Sequence, residues 1–198
     1  GKWEIRKGHD VVVKAFDKAF EKSDNVSLVM LTANPLLEQE KVAGWHRLYR
    51  NAKLADKISV LKDRLPTQQD VAHVMGQADC GVFISRAEGW NLDLAEMMAM
   101  GKHVITTNFS AHTEFVNQQN AHLVLIDELE DAYDGKWFHG FGQWASLGDS
   151  QVDQVVDHMR SVHRAKQEGS LGVNQAAIDT MKHFTWDRFG SEVVKAIS

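Results

Sequence analysis

Two carboxylates bracket the segment of this chain best suited to chemistry. Glu88 and Glu96 stand with seven residues between them in a run from Ser85. Glu88 falls in a loop that follows the apolar stretch Cys80-Gly81-Val82-Phe83-Ile84. Glu96 falls one turn inside a helix that starts near Leu92. This spacing turns both carboxylates toward one crevice. The first helical turn between them has backbone N–H groups with no internal partner, at the positive end of the helix dipole. Such a helix start is an anion site suited to a diphosphate. Gly89 lets the backbone approach a ligand closely, and carboxylates accept hydrogen bonds from sugar or ribose hydroxyls. Acidic residues at a helix start also act as caps and dipole partners, so the bare spacing leaves both readings open.

Alternating elements must position these groups. Val11–Phe20 has helical spacing with Asp10 as its N-cap, and Val26–Leu31 has the length and apolarity of a strand. Asn34-Pro35 breaks the pattern before an amphipathic helix over Leu36–Leu54. Ile58–Leu61 is a second strand. Thr67 caps a helix to Ala78, with Asp70 in capping-box position. Cys80–Ser85 is a third strand. Leu92–Met100 is a helix closed by Gly101. Val104–Thr107 and His122–Ile126 are further strands. This alternation means an α/β fold, a Rossmann-like doubly wound parallel sheet covered on both faces. In such sheets ligands sit beyond the C-terminal strand ends, which selects the loops Leu61–Pro66, Ser85–Asn91 and Thr107–Glu114. Residues 127–149, rich in aromatics and glycine, read as a surface excursion. Residues 150–198 read as closing helices: Asp149–Gln167, Val173–His183, and a last one from Trp186 capped by Thr185.

The 198 residues suffice for one domain with a core. The net charge of −5, without a long run of one sign, argues against nucleic acid as the main partner. The single cysteine, Cys80, excludes an internal disulfide and fits a reducing, cytoplasmic setting, where it fills the core. No apolar run reaches the roughly 18 residues of a membrane span. No His/Cys/Asp cluster has metal-ligand spacing, Gly-x-Ser-x-Gly is absent, and no Gly-x-Gly-x-x-Gly follows a strand.

Glu88-Gly89-Trp90-Asn91-Leu92 followed by Ala95-Glu96-Met97-Met98-Ala99-Met100-Gly101-Lys102-His103-Val104-Ile105 resembles the E-x7-E block of retaining, nucleotide-sugar-dependent glycosyltransferases. These are the two-lobed GT-B enzymes related to glycogen, sucrose and mannosyl transferases. Gly1-Lys2-Trp3-Glu4-Ile5-Arg6-Lys7-Gly8-His9-Asp10 is similar to the family's basic loop. Asp79 matches an acidic residue that often precedes the third strand. Thr107–Val116 fits the loop where members often carry Gly-Gly and then Glu-Val, and Phe184-Thr185-Trp186 resembles the start of their terminal helix.

The resemblance implies the roles that follow. Lys7 and Lys2 contact the donor diphosphate and offset the charge developing on the leaving group. Glu96 takes the ribose hydroxyls. Glu88 lies by the sugar ring, where a carboxylate stabilises an oxocarbenium-like centre. Asn91, which stands where many members have Gly, and Leu92 offer backbone N–H groups. Trp90 either walls the sugar or packs structurally. Leu61–Leu65 reads the base, with Leu65 in reach, while Arg64 stacks on the base, reaches a phosphate or stays at the surface. Glu114, in the loop after the fourth strand, either enters the site or holds its loop, and His112 in the same loop either touches the donor or is structural.

No cofactor or metal is required beyond the nucleotide-sugar donor, whose base (UDP, GDP or ADP) stays open. Family members have a strand just before Gly1 and an N-terminal lobe that binds the acceptor, a glycan, lipid or protein. Residues 1–198 thus read as the C-terminal donor-binding lobe alone, able to hold a donor yet nearly inactive in transfer without its partner lobe. Two alternatives stand: a non-catalytic nucleotide-sugar-binding module, which would not need Glu88, and a nucleotide-sugar epimerase of similar shape.

Overall fold

The computed structural model describes residues 1–63 and 65–197. Its α/β architecture follows the alternation expected from the sequence. β1 (Leu28–Leu31) pairs in parallel with β2 (Ile58–Leu61), with Leu28 opposite Ile58 and Leu31 opposite Leu61. β3 (Cys80–Phe83), β4 (His103–Thr107) and β5 (His122–Val124) form a second parallel group in that order. Helices α1 (His9–Ala19), α2 (Gln39–Arg50), α3 (Gln68–Gln77) and α4 (Leu92–Ala99) alternate with these strands. A hairpin, β6 (Leu129–Tyr133) with β7 (His139–Ala145), precedes α5 (Asp149–Gln167), α6 (Gln175–Met181) and α7 (Trp186–Ile197).

Two buried clusters account for the packing. One joins Val12 and Phe16 of α1, Met30, Ile105 and Val124 of the strands, Ile84 just past β3, and Val155 and Met159 of α5. The other joins Leu94, Met97 and Met98 of α4 with Val104, Phe115, Ala177 and Met181. Helices on both sides keep the strands apolar, and Val104 and Ile105 of β4 are fully buried.

The parallel sheet is open between β1 and β3. A slot of about 1030 Å³ lies there, walled by both strands, with Val12, Phe16 and Phe20 among its lining. At its upper end the backbone nitrogen of Gly1 donates to the Leu31 carbonyl at 2.8 Å. A parallel neighbour of β1 makes that kind of bond.

Several boundaries depart from the sequence expectation. Asp10 is not the cap of α1. Gly8 takes that place at φ 66°, and Asp10 lies in the first turn. The reason is tertiary: a Cβ on Gly8 would stand 1.8 Å from the Ile84 carbonyl oxygen, so only glycine fits against β3's extension. The helix expected over Leu36–Leu54 is trimmed at both ends. Asn34 Oδ1 accepts from Leu36 N in a local turn, and the Asp17 carboxylate takes the N–H groups of Lys53 and Leu54. The helix expected over Val173–His183 begins only at Gln175, because Asn174 caps it through Ala177 N. The surface excursion is an ordered antiparallel hairpin.

Candidate functional site

β3 ends at Phe83, and the chain then turns through Ser85 and Arg86 toward Glu88. The loop that leads into α1 lies alongside, so Arg86 N donates to the Arg6 carbonyl at 2.7 Å. This brings three charged side chains together. Lys7 Nζ donates to Glu88 Oε1 at 2.5 Å, and Arg6 Nη1 donates to Glu88 Oε2 at 2.8 Å. Ser85 Oγ adds a third donor at 2.7 Å. The Glu88 side chain is only 6% exposed. Burial by itself pushes its carboxyl up. The hydrogen bond and charge of Lys7, with Ser85 and Arg6, outweigh that and hold it below the usual carboxylate range. Arg6 is also tied to Glu4 at 2.9 Å and to the Ala87 carbonyl at 2.6 Å. Glu88 N donates to Ser110 Oγ at 2.9 Å, which joins the loop after β4 to the site.

Asn91 sets the start of α4. Its backbone is left-handed, φ 75° and ψ 76°, a conformation asparagine tolerates better than most residues. Its side chain takes the N–H of Leu94 at 3.4 Å, while its amide nitrogen meets His112 Nε2 at 3.0 Å. His112 is fully buried, with Nδ1 at 3.0 Å from the Thr107 carbonyl oxygen. These partners assign the proton to Nδ1, and Nε2 accepts from Asn91. Burial lowers the imidazole's affinity for a second proton. Among the described residues no hydrogen bond uses the N–H groups of Leu92 and Asp93, in the first turn of α4.

Arg86 fastens this region to the hairpin. Its Nη1 donates to the Ile5 carbonyl at 2.5 Å and its Nε to Glu130 Oε1 at 3.2 Å. Ala145 N donates to the Arg86 carbonyl at 2.9 Å. Sequence reasoning selected the loops that hold Ser85, Arg86 and Ser110 but singled out none of the three as a site residue. The available signal was a charged residue wedged between an apolar strand and the Glu88 loop.

The expected site residues fall into groups. Glu88 meets Lys7 directly. Lys2, Glu88 and Gly89 line a cavity of about 570 Å³. Glu96 is exposed on α4, and its carboxylate makes no hydrogen bond or ion pair among the described residues. Partial burial and the nearby Asp93 raise its carboxyl. Leu92 is exposed, and Leu65 is half-buried. Trp90 packs on Phe115 and Phe184, with centroids 4.8 and 5.2 Å away. Glu114 is exposed, away from this cavity. Arg64 lies outside the described residues. Cys80 borders the slot between β1 and β3, and burial pushes its thiol up to about 12. Among the described residues no group of three or more His, Cys, Asp or Glu is placed to hold a metal ion, and no helix is long and apolar enough to cross a membrane.

A family model described as glycosyl transferases group 1 matches residues 1–134. A comparison with curated protein sequences finds no match. Among solved structures, Anabaena Alr3699/HepE in complex with UDP is similar at a TM-score of 0.72 and 15% identity, over 100% of this chain and 46% of that one. The C-terminal domain of LpcC, a glycosyl transferase group 1 family protein from Francisella tularensis, is similar at 0.66 and 18% identity, over 92% of this chain and 81% of that one. The catalytic domain of the Helicobacter pylori cholesterol-alpha-glucosyltransferase gives 0.60 and 13% identity, over 93% and 95%. The chain thus spans about half the length of the HepE chain and most of the LpcC domain. At these identities the likeness establishes the fold, that of the Rossmann-like C-terminal domains of GT-B proteins.

Proposed function

The chain belongs to the group 1 glycosyl transferases, and we propose that it is the donor-binding lobe of a retaining GT-B enzyme, holding a nucleotide sugar along 85–96. The observation that carries this reading is the Glu88 cage. A buried carboxylate, fixed by Lys7, Arg6 and Ser85, stands beyond the C-terminal end of β3 beside a helix start with free N–H groups. Ligands of open α/β sheets bind at such strand ends.

In this reading Lys7 and Lys2 face the diphosphate, with the N–H groups of Asn91 and Leu92. Glu88 touches the sugar, Gly89 admits it, and Glu96 takes the ribose through the E-x7-E spacing. Arg64 and Leu65 approach the base. Trp90 supports the loop from behind. Phosphate charge is met by lysine and helix dipole, so the reading needs no metal. Transfer to a glycan, lipid or protein acceptor would need a second lobe, because reacting atoms must be held within bonding approach. A cytoplasmic setting suits the lone thiol of Cys80. HepE was solved with UDP and with UDP-glucose, which makes uridine the first base to test.

The test is a thermal-shift series with UDP, GDP, ADP and their sugars. A ligand at a hundred times its Kd stabilises by about 2.7 kcal/mol, a rise of roughly 5–11 °C for a chain of this size. One base family should raise the melting temperature and the others should not. If none does at millimolar concentration, the donor-site reading fails.

A further inference from the structure

The β6–β7 hairpin borders the same site, and its tip lies past residue 134, where the family match ends. Between the tip and the Glu88 loop is the cavity of about 570 Å³, lined by Lys2, Arg6, Glu88, Gly89, Trp137 and Phe138 among others. Small-ligand sites range over roughly 300–1,000 Å³. One part of this lining is polar: a carboxylate that accepts and a guanidinium that donates. Another part is the indole of Trp137, which is 48% exposed. A pyranose ring has the matching faces, hydroxyls around its edge and axial C–H groups on a flat side.

The tip is braced in a way that an idle surface turn does not need. The Asp134 carboxylate takes three successive backbone N–H groups, of Lys136, Trp137 and Phe138, at 2.8, 2.7 and 3.0 Å. Lys136 Nζ crosses to the Leu36 carbonyl at 2.6 Å, with its ammonium 5.5 Å from the centroid of the Trp137 ring. Phe138 packs on Trp144, whose indole N–H donates to Glu130, the residue that also holds Arg86. The wall bearing Trp137 is therefore fixed relative to Glu88 before any ligand arrives. Pre-organisation of this kind removes ordering cost from binding. The indole gains no burial in the core from its position.

We propose that Trp137 is the stacking platform of a pyranose subsite, with Glu88 and Arg6 taking ring hydroxyls. The proposal deepens the donor-site reading and rests on it for the role of Glu88. It assigns sugar selection to a hairpin tip outside the family match. The ring belongs either to the donor's transferred sugar or to a saccharide acceptor, and the chemistry of the platform is the same for both.

Calorimetric titration of wild type, Trp137→Ala and Trp137→Phe separates the cases. The ligands are UDP, GDP and ADP, their hexose conjugates, and methyl pyranosides of gluco, galacto, manno and N-acetylglucosamine type. Burying one face of a pyranose, on the order of 50–60 Å², is worth about tenfold in affinity. Trp137→Ala should lose about that factor for pyranose-bearing ligands, keep nucleoside diphosphate affinity within about twofold, and be largely rescued by Trp137→Phe. Loss confined to the nucleotide sugars identifies the donor ring; loss for methyl pyranosides identifies an acceptor ring. The proposal is overturned if Trp137→Ala binds every pyranose-bearing ligand as tightly as wild type, if no such ligand binds, or if nucleoside diphosphates weaken equally. Failure of every nucleotide, with Trp137-dependent pyranoside binding intact, would sink the donor-site reading and leave this one standing.

Discussion

Asn91 concentrates three structural demands on one side chain, so its replacement can be worked out piece by piece. It holds a left-handed backbone at φ 75°, caps Leu94 N at the start of α4, and is hydrogen-bonded to the fully buried Nε2 of His112. In Asn91→Ala the left-handed conformation costs about 1 kcal/mol more than in asparagine. Loss of the cap costs about another 1 kcal/mol. Leaving the buried His112 nitrogen unsatisfied costs roughly 1–2 kcal/mol. The total is on the order of 3–4 kcal/mol. In Asn91→Gly the backbone term vanishes, and the cap term falls to a few tenths of a kcal/mol. Only the His112 term remains in full. The glycine variant should therefore be more stable than the alanine variant by roughly 1.5–2 kcal/mol, a difference of ~3–8 °C in melting temperature at this chain length. Urea unfolding followed by circular dichroism measures both. An alanine variant as stable as the glycine variant would refute the left-handed assignment and, with it, the loop geometry that presents the N–H groups of α4.

His9 is buried with its pKa pushed down to about 4, because burial disfavours the imidazolium. The folded-state value lies below the unfolded one, so its contribution is complete above pH 6.5 and is lost as pH falls from there to 4. Stability should drop by up to ~1.4 kcal/mol per pH unit across that window, on the order of 3 kcal/mol in all. His9→Gln should flatten the urea midpoint against pH by about one proton, and an unchanged slope would exclude a neutral His9. Gly8→Ala should cost at least ~3 kcal/mol, because the Cβ meets the Ile84 carbonyl at 1.8 Å in a left-handed conformation. Gly89→Ala is the control: nothing lies within 4 Å of its Cβ, and its stability should stay within about 0.5 kcal/mol of wild type.

Local signals were legible where local physics decides the outcome. Thr67 and Asp70 form the expected capping box, and β2 and α5 occupy the expected residues. Both capping partners lie within one turn, so no distant contact can override them. The Glu88 and Lys7 pair was legible only as two residues of one site; their direct ion pair depends on the α1 loop lying beside β3 across 81 positions. The cap at Gly8 was missed for a similar reason. Its left-handed turn answers to the carbonyl of Ile84, which the neighbouring sequence does not encode. The hairpin over residues 129–145 was hidden by irregular pairing: its register shifts between Asp131 and Tyr133, and Gly140 and Gly142 have positive φ. Such a strand breaks simple alternation.

The charge balance at Glu88 also bears on which cation can serve an incoming anion. Glu4, Arg6, Lys7 and Glu88 are two cations and two carboxylates, so the cluster is neutral as a unit. Removing one partner from a buried carboxylate is costly when it leaves that charge alone. Here Lys7 can turn away at lower cost, because Glu88 keeps Arg6 Nη1 and Ser85 Oγ. Arg6 has no such freedom: it also binds Glu4 and the Ala87 carbonyl, and turning would break all three bonds. Among the described residues Lys7 Nζ makes the single bond to Glu88, and it has a flexible stem. Under the donor-site reading, Lys7 is then the cation that moves to a diphosphate, and Arg6 is the one that stays to keep Glu88 ionised. That division of labour gives a physical reason for two adjacent basic residues beside one carboxylate.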